Sequence, residues 1–207
     1  MFSILFPFRP FQLVASWSLP CACCSDRQQY QAIIRQGTLK RLRLDEVWWL
    51  VSPQNPLKPQ EGMAPFEDRI EKAKSVADHP RIRVTDIEKG FGTTYTAETL
   101  ARLCRRFPTQ RFVWLMGADN LSQISRWSRW TRIFHTVPVA VFDRPSYSLG
   151  ALSGRAARRF HRERIKESRA GRLADMRPPA WVFLHTPLNA TSATALRARG
   201  LFRRSGG

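Results

Sequence analysis

At 207 residues the chain is long enough for one well-buried domain, or for one domain with a small appendage. A hydrophobic share of 43% argues against global disorder. Thirty-four Lys and Arg against 16 Asp and Glu leave a net charge of +18, a surface that attracts anions but does not choose among nucleotides, nucleic acid and acidic lipid.

The first 24 residues are apolar, yet Pro7, Arg9 and Pro10 interrupt them and no positive charge precedes them. The run therefore reads as neither a signal peptide nor a membrane span. Cys21, Cys23 and Cys24 crowd together while Cys104 stands alone. No nearby histidine completes a zinc set, and nothing suggests a disulfide framework, so a reducing, cytoplasmic setting is expected.

Regular pattern begins near Asp45. Glu46–Ser52 is a β-rich apolar run that Pro53 ends, a buried strand entering a loop. Ala64–Ala77 has helical period with Pro65 in its first turn, and Arg81–Ile87 reads as a second strand. Thr96 is the expected N-cap of a helix to Phe107, which Pro108 stops. Arg111–Met116 is a short buried strand running into Gly117-Ala118-Asp119-Asn120 and a helix. Val137–Phe142 reads as a strand, Ala151–Arg172 as a basic helix or helix pair, Trp181–Leu184 as the last strand and Ser192–Arg199 as the last helix.

Strands alternating with helices predict an α/β fold: a Rossmann-like, mostly parallel sheet with helices on both faces. Ligands bind such sheets beyond the carboxyl ends of the strands. The loops Ser52–Pro59, Gly117–Asn120 and Thr186–Ser192 are expected to converge there. Nine cations (Arg155, Arg158, Arg159, Arg162, Arg164, Lys166, Arg169, Arg172 and Arg177) face only Glu163, Glu167 and Asp175. They read as a solvated helix face, or else as a nucleic-acid or membrane patch. With only Phe160 interleaved, a base-stacking platform is not supported.

Four segments have chemistry to offer. In SPQNPLKP, prolines stiffen a loop that presents Asn55 and Lys58, and a lysine there can neutralise phosphate oxygens. In GTTYTAET, hydroxyls and backbone amides gather at a helix start, an anion site or a plain cap. In GADNL, Gly117 allows close backbone approach and Asp119 can accept a ribose hydroxyl or metal-bound water. Trp127 can stack on an aromatic ring or anchor a core, whereas Trp130 reads as a core anchor. In TSATALR, Ser192, Thr194 and Arg197 at a helix opening make a polyphosphate cradle or a capping motif.

Taken together, SPQNPLK, Arg69 within EDRIEKA, TTYTAETL, WLMGADNL, RWSRW, FDRPSY and TSATALR closely resemble the bacterial nicotinate-nucleotide adenylyltransferases over about Leu39–Arg197. The resemblance implies transfer of an adenylyl group from ATP, with Mg2+, onto nicotinate mononucleotide, giving the deamido dinucleotide and pyrophosphate in NAD biosynthesis. By resemblance, Lys58 and Arg197 steady phosphates and are the catalytic candidates. Gly117, Asp119, Ser192, Thr194 and Arg197 meet ATP, while Thr94, Tyr95, Thr96 and Trp127 line the nicotinate side. Glu98 stands where the family often has Asp. A homo-oligomer is left open.

The family opens with a strand and a loop of the form G-G-S-F-x-P-x-H-x-G-H, whose histidines stabilise transition-state charge. Here the region around 21–31 reads CACCSDRQQYQ, with no glycine before Gly37 and no histidine before His79. The expected division is therefore an atypical segment over 1–38, a nucleotidyltransferase domain over 39–200 and a tail over 201–207. An error of frame or start site is one account of 1–38, and it predicts a sheet without its first central strand. A degenerate relative that binds nucleotides but transfers slowly or not at all is another. A sibling acting on phosphopantetheine and a basic nucleic-acid-binding protein are the remaining alternatives.

Overall fold

The computed structural model describes residues 11–17, 38–52, 64–77, 79–143 and 148–185. Seven strands form one sheet in the order β3-β2-β1-β4-β5-β7-β6. They are β1 (Phe11–Trp17), β2 (Glu46–Val51), β3 (Ile82–Thr85), β4 (Arg111–Gly117), β5 (Val139–Phe142), β6 (Arg164–Ile165) and β7 (Trp181–Leu184). Every pairing is parallel, so all strands end at one edge. Strand order reverses between β1 and β4, the switch point at which α/β sheets open a crevice.

Unbroken apolar runs become inner strands because helices cover both faces of a parallel sheet. All but the first residue of β2 and of β4 are buried, as are all four residues of β5 and of β7. The helices are α1 (Thr38–Arg41), α2 (Phe66–Val76), α3 (Ile87–Phe91), α4 (Thr96–Arg106), α5 (Ala118–Gln123), α6 (Trp130–Thr136), α7 (Ser148–Ser153) and α8 (Arg155–Arg159). Two 3-10 segments, Ile124–Arg126 and Glu167–Asp175, complete the set among the described residues.

The two faces differ in kind. One is aromatic: Trp48, Phe112, Trp114, Trp181 and Phe183 pack against Leu100 and Leu103 of α4, Phe134 of α6 and Phe160. The Phe134 and Phe160 rings stack 4.4 Å apart. The other is aliphatic: Val47, Val113, Leu115 and Val182 meet Leu39 of α1 and Leu173 of the second 3-10 segment.

Four expectations are corrected. A first central strand is present: β1 lies between β2 and β4, with Val14 in register with both Trp48 and Trp114. Thr96 is the first residue of α4 rather than its cap. Tyr95 holds the extended cap position, and the hydroxyl of Thr93 accepts its N–H at 3.2 Å. β5 begins at Val139, because Pro138 has no N–H for the ladder, although its carbonyl accepts the Trp114 N–H at 2.8 Å. The stretch over 151–172, expected as a basic helix or helix pair, holds the short pair α7 and α8 but then leaves the helix for β6 and a 3-10 segment. The buried Trp181 explains the break. Its indole donates to the Phe160 carbonyl at 2.6 Å and its backbone N–H to Glu163 at 3.0 Å, which draws the chain into the sheet edge instead of another helical turn. The helix expected over 192–199 lies outside the described residues, as does the segment around 21–31.

Candidate functional site

At the strand ends, β2 stops at Ser52 and β4 stops at Gly117, which passes without a loop into α5. Gly117 is buried in extended backbone (φ −80°, ψ 161°), a conformation open to any residue. What glycine supplies there is a strand end without a side chain. Asp119 is half-buried one residue into α5, and its carbonyl accepts the Ser122 hydroxyl at 2.7 Å.

The turn before α4 carries Thr94 and Thr96 half-buried and Tyr95 exposed. Glu98, in the first turn of α4, joins this turn to the tryptophan segment. Its Oε2 accepts the Thr93 hydroxyl at 3.1 Å, and its Oε1 meets Nη1 of Arg129 at 3.4 Å. Arg129 occupies the left-handed region (φ 51°, ψ 34°) as the cap of α6, uncommon for a residue with a Cβ and frequent where sites are held in shape. Trp127, half-buried, packs on the aromatic core, and its N–H is fixed by the Ile124 carbonyl at 2.9 Å. Trp130 meets Phe134 and Phe160 edge-on at 6.3 and 5.9 Å, the core role expected of it. The structure thus links Thr94, Tyr95 and Thr96 to the Trp127 turn through Glu98 and Arg129. Gly117 and Asp119 sit at the end of β4. Asn55, Lys58, Ser192, Thr194 and Arg197 lie outside the described residues.

Sequence reasoning missed a buried polar corner beneath this turn. Ser52, Arg69, Glu88, Thr93 and Thr99 are the buried polar or charged residues among those described; the first three and Thr99 lie together, and Thr93 meets Thr99 through the Tyr95 backbone. Arg69 donates from Nη1 to the Ser52 carbonyl at 2.8 Å. The hydroxyls of Ser52 and Thr99 lie beside the Glu88 carboxyl, and the Thr99 hydroxyl donates to the Tyr95 carbonyl at 3.3 Å. Burial pushes the Glu88 carboxyl above the usual carboxylate range, against the opposing effect of the two hydroxyls. Burial likewise lowers the Arg69 guanidinium from its ordinary value. Arg69 had a motif to announce it. Glu88, in the short helix after β3, had none.

Away from the crevice, the basic run encircles the β6 edge. Two of the three acids within it pair elsewhere, Glu167 with Arg41 and His185 (Nδ1 at 2.8 Å) and Asp175 with Arg111, while Glu163 is half-buried and its Oε2 has no partner among the described residues. Arg164 lies over the rings of Trp181 and Phe183 at 5.4 and 5.7 Å. Among the described residues no three His, Cys, Asp or Glu side chains come together as a metal set. Burial raises the half-buried Cys104 thiol above its ordinary value. No helix among the described residues is long and apolar enough to cross a membrane.

Comparison with known proteins agrees with this geometry. A family model described as cytidylyltransferase-like matches residues 36–199. A Cereibacter sphaeroides (strain ATCC 17025 / ATH 2.4.3) protein named "Probable nicotinate-nucleotide adenylyltransferase" is 54% identical over 165 residues, covering 80% of this chain and 87% of that protein. A Methylorubrum extorquens (strain PA1) protein of the same name is 51% identical over 166 residues, covering 80% and 90%. The Plasmodium falciparum nicotinic acid mononucleotide adenylyltransferase complexed with NaAD superposes with a TM-score of 0.62, over 96% of this chain and 86% of that one. At 13% identity that likeness speaks to the fold alone.

Proposed function

Because the chain belongs to the cytidylyltransferase-like family, among the nicotinate-nucleotide adenylyltransferases, we propose that it transfers the adenylyl group of ATP to nicotinate mononucleotide. A phosphate oxygen of the mononucleotide attacks the α-phosphorus of ATP. The bond from that phosphorus to the bridging oxygen breaks, and pyrophosphate leaves with the electron pair. The reaction needs positioning and charge stabilisation more than covalent help from the protein.

The observation that carries the reading is high identity to relatives of that name over most of both chains, on a parallel sheet with a switch point between β1 and β4. In this reading Thr94, Tyr95 and Thr96 hold the nicotinate side, with Trp127 beside the ring. Gly117 and Asp119 take the adenosine part. Ser192 and Thr194 meet the ATP phosphates, while Lys58 and Arg197 neutralise charge on them. Mg2+ would enter with ATP, keeping most of its waters and binding substrate phosphates with one or two carboxylates. Bound there, it supplies neutralisation of the polyphosphate. The partners in this reading are small molecules and the compartment is the cytoplasm.

A second reading keeps the binding and loses the turnover. It is favoured by one feature, the lack of any histidine before His79. Losing a donor that stabilises transition-state charge typically costs roughly 2.7–4 kcal/mol. Pyrophosphate release by the full chain with ATP, Mg2+ and nicotinate mononucleotide separates the two, with phosphopantetheine as the control acceptor. Release that requires both substrates and prefers the mononucleotide is expected. Binding of both without release would establish the second reading, and binding of neither would remove both.

A further inference from the structure

The buried polar corner has a cost that the rest of the interior avoids. A carboxyl that is 2% exposed forfeits most of its hydration, and partly satisfied polar networks are poor contributors to stability. The Oε2 atom of Glu88 has no hydrogen-bond partner among the described residues. An aliphatic side chain would fill α3 at less expense, so stability alone does not account for a carboxyl here.

Its place in the fold suggests what it does. Glu88 lies on α3, which packs against both β2 and α4, and its carboxyl touches one hydroxyl from each: Ser52 at the end of β2 and Thr99 in the second turn of α4. Ser52 is fixed from the other side by Arg69 of α2. Thr99 is tied to the Tyr95 carbonyl, which caps the turn carrying Thr94, Tyr95 and Thr96. Polar bonds are directional where apolar contacts are not, so this chain sets the height and rotation of α4 relative to the strand end. Sites held by locked supporting groups retain affinity that looser ones lose.

We propose that Glu88 is a positioning residue that, by bridging the hydroxyls of Ser52 and Thr99, fixes the first turn of α4 for the nicotinate end of the acceptor. It touches no substrate. The inference rests on the acceptor reading given above, and on the nicotinate side lying at Thr94–Thr96.

The test is equilibrium calorimetry on the full chain with nicotinate mononucleotide and, separately, with ATP, so that no turnover is required. Glu88→Ala is expected to weaken the mononucleotide about tenfold, equivalent to about 1.4 kcal/mol, and to change ATP affinity less than about twofold. Glu88→Gln, which keeps the shape and the hydrogen-bonding atoms, should restore the mononucleotide to within about twofold of the unmodified chain. Thr99→Val removes the same bridge from the α4 side and should act in the same direction if Glu88→Ala proves too unstable to titrate. Equal losses for both ligands, no loss for either, or failure of Glu88→Gln to rescue would each overturn the proposal. An unmodified chain that binds ATP but no mononucleotide would instead overturn the acceptor reading on which it stands.

Discussion

Two regions of this molecule use polar side chains in opposite ways. At the end of β2, Ser52, Arg69, Glu88 and Thr99 are buried in contact with one another, and buried Thr93 joins them through the Tyr95 backbone. Around β6, nine cations stand at the surface, and two of the three acids between them, Glu167 and Asp175, are engaged elsewhere. Buried polar groups must find partners, so they dictate geometry. Solvated cations need none and leave geometry to what lies beneath them. The first region can therefore shape a binding site, while the second tunes the field around it and keeps an exposed strand edge from pairing with other chains.

If that contrast holds, the rim should depend on its apolar floor. Phe160 is 1% exposed, stacks on Phe134, and its carbonyl accepts the Trp181 indole. Phe160→Ala should lower unfolding stability by about 3–5 kcal/mol, the usual cost of a buried aromatic truncated to a cavity, read from the urea midpoint. A loss under about 1 kcal/mol would mean that the rim is held by something other than this floor, and the comparison would fail on that side.

The polar corner should reveal itself through pH. The folded-state pKa of Glu88 is raised by burial above its ordinary value near 4.5, so the folded protein holds that proton where the unfolded chain has released it. Its contribution to stability is complete below the ordinary value and is lost as pH rises through the folded pKa, at no more than about 1.4 kcal/mol per pH unit. The groups facing the carboxyl are the Ser52 and Thr99 hydroxyls, neither of which titrates in this range. Glu88→Gln should therefore flatten the fall in melting temperature on the alkaline side and leave the acid side unchanged. Parallel curves for the two proteins would show that the carboxyl is ionised in the fold.

The same contrast explains what the sequence made legible. β2, β4, β5 and β7 were readable as apolar runs because a parallel sheet buried on both faces demands them. The motif segments were readable because hydroxyls, Gly117 and the tryptophans fall in a distinctive order. β1 was not: FQLVASW follows a proline and has no periodicity to separate it from its surroundings, and only its partners on either side define it. β6 was hidden for a different reason. Arginines on a strand edge and on a helix face look alike in sequence, and it is Trp181 that decides between them. Glu88 was invisible because a lone glutamate in a charged stretch is by default a surface residue. Its burial becomes evident only when α3 is seen wedged between β2 and α4.

The smallest effect is expected at the rim itself. Arg158, Arg162 and Arg169 are exposed and make no ion pair among the described residues, so replacing all three with Gln should leave stability within about 0.5 kcal/mol. Affinity for nicotinate mononucleotide should be unchanged at physiological salt, because charges separated by more than a Debye length of about 8 Å are largely screened. Any weak association of the chain with nucleic acid at low salt should lose about one unit of salt slope for each arginine removed. A substantial loss of stability would show that these cations hold the β6 edge through contacts rather than clothe it. The molecule would then have two polar scaffolds, not one scaffold and a charged coat.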